Sequence, residues 1–159
     1  MQWIWSSGGP LVLLPASLVG NWNGTTGNDY KMACDIDGYV GVIDKEGQEV
    51  LVLNDEPMQA TFVEDNQGLM CVRWMYAPNE DAVKARLAVI RPCLREAAEV
   101  VEFKVHEDNF LLLDSATDTR KPCECLQVHM HQGVYRVTTY VDKAAEGVGL
   151  VVAAFRWVS

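Results

Sequence analysis

Positive charge is scarce in this chain. Its 159 residues carry 13 Lys and Arg against 22 Asp and Glu, a formal charge of -9. A field of that sign repels nucleic acid and anionic membranes and favours basic partners. No Lys or Arg precedes Lys31. The apolar run from Pro10 to Val19 therefore lacks the basic flank of a secretory signal, and Pro15 interrupts it well short of the ~20 residues a membrane span needs. No other run approaches that length. The cysteines are few and odd in number: Cys34, Cys71, Cys93, Cys123 and Cys125. With no secretory signal ahead of them, reduced thiols and a cytoplasmic location are expected, with Cys34 and Cys71 as small core residues. Catalytic spacing is missing too. There is no Gly-x-Ser-x-Gly elbow, and no Gly-Lys-Ser/Thr follows Ser6-Ser7-Gly8-Gly9, which excludes the common nucleophile and phosphate-loop motifs. No cofactor is expected.

What is present is an ordinary globular composition, 49% apolar and 22% charged, enough for a single domain over residues 1–159 with a proper core. Short apolar runs alternate with turn signals. Strands are expected at Leu11–Leu14, Tyr39–Ile43, Glu49–Leu53, Met58–Val63, Leu69–Tyr76, Val101–Val105, Phe110–Leu113, Cys125–Met130, Tyr135–Val141 and Leu150–Val158. In the fifth, Met70, Val72, Trp74 and Tyr76 share one face and Arg73 points the other way. The last is apolar almost throughout, as a strand covered on both faces would be. Ala16–Trp22 reads as a helical turn, and Asp29 as the cap of a brief helix ending at Ala33. One longer helix is expected over about residues 79–91. Asn79 would cap it, Val83, Leu87 and Ile90 would form its apolar stripe, Glu80 and Lys84 would pair, and Pro92 would bound its end. The connections are too short for parallel crossovers. The fold class is α+β: mainly antiparallel β-sheet with one main packed helix.

The densest metal-like cluster is Cys123-x-Cys125 with His129-x-His131. Thiolate and imidazole are the ligands zinc prefers. On one extended strand, however, a rise of ~3.3 Å per residue sets Cys123 and His131 about 26 Å apart, so no metal is assigned. Acids gather in turns, among them Asp35, Asp37, Asp55 and Glu56, and together they form a candidate surface for a basic protein. Trp22 lies between Gly20-Asn21 and Asn23-Gly24. It is the tryptophan expected to be exposed and to anchor a partner, while Trp74 and Trp157, in strand patterns, are expected in the core.

Motifs follow in a fixed order: Gly8-Gly9-Pro10-Leu11-x-Leu13-Leu14-Pro15, Trp22, Asp29-Tyr30, Ala33-Cys34, Tyr39-x-Gly41-x-Ile43, Leu51-Val52-Leu53-x-Asp55-Glu56-Pro57, Arg73-Trp74-x-Tyr76 and Gly133-x-Tyr135-Arg136-Val137-x-Thr139. This succession resembles the immunity protein 21 family of bacterial polymorphic toxin systems. The resemblance implies a non-enzymatic protein that neutralises a cognate toxin domain by tight binding. The acidic charge adds that the toxin is basic, such as a nuclease. The segment from Cys123 to His131 matches no part of the family pattern. Two other readings stay open: a small metal- or thiol-dependent enzyme built on that segment, and a regulatory interaction module unrelated to toxins.

Overall fold

A computed structural model describes residues 1–54 and 58–159. Ten strands are formed among them: β1 (Leu11–Pro15), β2 (Val40–Lys45), β3 (Gln48–Leu53), β4 (Gln59–Asp65), β5 (Gly68–Tyr76), β6 (Glu99–Val105), β7 (Asn109–Asp114), β8 (Leu126–His129), β9 (Gly133–Asp142) and β10 (Gly149–Trp157). The helices are α1 (Asp29–Cys34) and α2 (Glu80–Ile90). All pairings among these strands are antiparallel, so the α+β class and the main helix are as expected. The layering is richer than one sheet under one helix. The strands form two five-stranded sheets, ordered β2-β3-β1-β7-β8 and β4-β5-β10-β9-β6. None of the described helices is long and apolar enough to cross a membrane.

Alternation along the strands explains the layers. In β1, Leu11 and Leu13 enter the core between the sheets with Leu51, Leu53, Phe103, Phe110 and Phe155. Val12 and Leu14 face the other way, packing with Leu18, Trp22 and Ala33. In β10, Ala153 and Phe155 belong to the central core. Leu150 and Val152 lie in the outer cluster that includes Val83, Leu87 and Ile90 of α2. Both central strands are thus covered on both faces along most of their length, β10 as far as Val152, and each apolar side chain so buried stabilises by roughly 1.5–3 kcal/mol.

The helix α2 follows the expected chemistry. The Asn79 side chain accepts from Ala82 N at 2.9 Å, and Lys84 approaches Glu80 at 3.8 Å. Pro92 sits in the 3-10 turn Arg91–Cys93 that closes the helix. Arg86 holds α2 to β9 by two 2.7 Å bonds to Asp142. Arg91 holds its end to the β4–β5 turn through Asp65 at 2.7 Å and the Gly68 carbonyl at 2.8 Å.

Buried polar groups tie the sheets together. The Arg73 side chain lies opposite Met70 and Val72 but is 2% exposed. It points between the sheets and donates to the Asn54 carbonyl and, at 2.8 Å, to that of Tyr39. Glu99 of β6 accepts from Tyr39 N and Val40 N at 2.9 and 3.0 Å. Gly38 adopts φ +80°, and a Cβ there would lie 2.0 Å from the Glu99 carboxylate, so this residue is held to glycine by both backbone and space.

Candidate partner-binding surface

The residues singled out from the sequence divide sharply in the fold. Trp22 is 0% exposed. Its indole donates to the Ser115 carbonyl at 2.9 Å, and its own carbonyl accepts from Thr119 N and Oγ1, both at 2.9 Å. Trp22 is therefore a core residue and not an exposed anchor. Its polar neighbours in sequence belong to a loop folded over the outer face of the first sheet. Asp29 is corrected as well. It is the first residue of α1 rather than its cap, it is buried, and its carboxylate accepts from Asn23 N at 2.7 Å and Lys45 Nζ at 2.8 Å.

Asp35 and Asp37 follow α1 and are both exposed. Asp35 pairs with Lys31 at 2.9 Å, one helical turn away. That bond raises the Lys31 pKa, and in an exposed pair the stabilisation is small. The loop bearing the two aspartates is held to the end of β3: Asn54 N donates to the Tyr39 carbonyl at 3.0 Å, and the Asn54 side chain donates to the carbonyl of Ile36, which separates them. Asp55 and Glu56, the other two acids expected in this surface, lie outside the described residues. Around the β2–β3 turn, Asp44 accepts from Gly47 N and Glu46 from the Asn21 amide.

The Cys/His segment does not converge. Cys123 and Cys125 precede β8, whereas His129 ends it and His131 follows. The histidine rings meet edge to face at 5.6 Å. They line a cleft of about 200 Å³ with Glu64 and Tyr135, but among the described residues no three His, Cys, Asp or Glu side chains are placed to hold a metal ion. Burial and the neighbouring Cys125 raise the Cys123 pKa, the opposite of what activates a thiol. Of the two cysteines expected in the core, Cys71 is buried, and burial pushes its thiol up to about 12. Cys34 is exposed.

The structure also brings to the surface residues that their sequence patterns did not place there. Trp157, expected in the core, is 58% exposed and closes β10 at the rim of the second sheet. Its indole donates to the Gln132 carbonyl at 3.3 Å. Gly133, at φ +143°, leaves room for the ring, since a Cβ there would lie 2.2 Å from the indole nitrogen. Beside Trp157 is a concavity of about 680 Å³ on the outer face of the second sheet, lined by Arg91, Arg136 and Arg156 among others. The two-residue spacing of Arg136, Thr138 and Tyr140 was a legible signal that they share a face. That Arg136 stands opposite Arg156 required the β9–β10 register.

Comparison with known proteins adds one finding. A family model described as Immunity protein 21 matches residues 2–147. Neither a curated protein nor a solved structure matches the chain.

Proposed function

The chain belongs to the immunity protein 21 family, and on that premise we propose that it binds and neutralises a cognate toxin domain in the cytoplasm of the producing cell. The observation that carries this reading is the family match along 146 consecutive positions, residues 2–147. Inhibition is by occupation: the protein covers the toxin's active site or a neighbouring surface and turns over nothing.

We further propose that the toxin is basic. The charge of -9 and the exposure of Asp35 and Asp37 support an acidic face that speeds encounter with such a partner. In this reading the charges of Asp55 and Glu56 add to the same attraction. Trp22 has no part in it, because a side chain with no exposed surface cannot touch a partner.

The test is co-expression with the toxin domain encoded next to this chain, followed by binding kinetics at two ionic strengths. Growth rescue and a stable complex are expected. Association should slow as salt rises, with dissociation changing less. Reversal of all four charges, as Asp35→Lys, Asp37→Lys, Asp55→Lys and Glu56→Lys together, should lower the association rate about tenfold. Association that ignores both salt and the reversal removes the acidic face and leaves immunity standing. Failure to bind or protect against any neighbouring toxin removes immunity itself.

A further inference from the structure

We infer that the arginine-lined concavity on the outer face of the second sheet is a docking site for a carboxylate-bearing segment of the toxin, an inference that rests on the immunity reading. Every charged side chain among its lining residues is an arginine: Arg91, Arg136 and Arg156. Arg91 is neutralised by Asp65 at 2.7 Å. Arg136 and Arg156 are exposed and stand directly opposite each other on β9 and β10. Neither side chain forms an ion pair or hydrogen bond among the described residues. Glu102 faces Arg136 from β6 yet makes no ion pair with it among the described residues. Like charges directly opposite on adjacent strands destabilise a sheet. In a chain with only 13 basic residues, two of them are placed where they repel each other beside a concave surface.

The surrounding groups suit recognition. Thr138 and Tyr140 share the β9 face with Arg136, and Trp157 forms part of the wall. Tyr140 also lines a second concavity of about 390 Å³ along α2, so the groove continues beside the helix. Arg, Trp and Tyr are the residue types that dominate binding energy at protein interfaces. Two adjacent guanidinium groups offer paired N–H donors that fit a carboxylate bidentately.

The anion is a protein carboxylate rather than a nucleic-acid phosphate, because the -9 field repels an extended polyanion, whereas a single acidic loop adds little charge to a basic toxin. This contact differs from the acidic face in kind. The acidic face acts on encounter, while the arginine pair, once covered by the partner, holds the complex together.

The test has two arms. In the first, the folded protein is titrated with an acetylated, amidated tetraglutamate peptide and followed by NMR. The Trp157 indole N–H and the Arg136 and Arg156 Nε–H signals should shift, and the shifts should vanish in the R136E/R156E double variant. No shift at these groups overturns the inference, and so does an equal shift with inorganic phosphate at matched charge. In the second arm, the R136E/R156E variant should release the toxin at least about tenfold faster than the unaltered protein, as expected when a covered charge pair is broken. Unchanged dissociation overturns the docking site while immunity stands. Absence of toxin binding by the unaltered protein overturns immunity, and the peptide arm alone then decides whether this surface takes carboxylates. R136E/R156E replaces the facing cations by facing carboxylates beside Glu102, so its thermal melt is recorded before either arm. If it does not fold, R136Q/R156Q takes its place in both arms.

Discussion

Trp22 shows how one residue can invert its expected role. Polar and glycine neighbours flank it in sequence, yet its ring lies beneath that loop, against β1 and β3, with its N–H satisfied by Ser115. Trp22→Ala should lower unfolding free energy by about 3–5 kcal/mol in urea denaturation, as large-to-small changes at buried aromatic sites do. Any loss of toxin affinity should follow the loss of fold. The cysteines give a second test at this scale. Cys71 is buried with its thiol pKa raised to about 12, whereas Cys34, Cys93 and Cys123 are exposed. Iodoacetamide at pH 8 should modify those three in the native protein and leave Cys71 untouched until the chain unfolds. Peptide mass spectrometry reads this directly, and early labelling of Cys71 would contradict the burial.

At the scale of elements, α2 depends on its apolar stripe, its cap and its ties to the sheet. Leu87→Ala should cost about 2–5 kcal/mol. Asn79→Ala should cost about 0.5–2 kcal/mol through loss of the bond to Ala82 N. The Arg86–Asp142 contact adds a dependence on pH. The hydrogen bond from Arg86 is the main cause that holds the Asp142 carboxyl below its ordinary value. A depressed folded-state pKa contributes stability above the unfolded value, about 3.9 for aspartate, and that contribution is lost as pH falls through the folded value. Stability should therefore drop more steeply below about pH 4 in the unaltered protein than in Asp142→Asn, and acid titration of thermal melts checks this. Helix α2 was legible because its periodicity, cap and closing proline all agree. Helix α1 was placed correctly, but its first residue, Asp29, spends its carboxylate on Lys45 and Asn23. Nothing local announces those partners.

For the whole molecule, the arrangement is two stacked sheets, the outer face of the first packed by the loop and α1 and that of the second packed by α2 over part of its area, with the arginine-lined concavity left open. On the proposed reading, salt should slow association with a toxin through the acidic face, and dissociation should report on the arginine groove. The two effects are separable because long-range charge acts before contact, while covered charge pairs act after it. Both candidate surfaces lie where strands end or turn. Asp35 and Asp37 sit in the link from α1 to β2, and Arg156 and Trp157 at the end of β10.

By itself the sequence determined the strands, the main helix, the antiparallel class and the family, because alternation, capping and motif order are local or nearly local properties of the chain. Tertiary structure alone decided that the strands divide into two sheets. Alternation says that a strand has two faces but does not name what covers each. The same limit explains the tryptophans. Trp22 and Trp157 exchange their expected environments because burial depends on which distant segment folds over a side chain, not on its neighbours in sequence. It also explains the arginines: Arg136 and Arg156 are 20 positions apart, and only the β9–β10 register brings their like charges side by side.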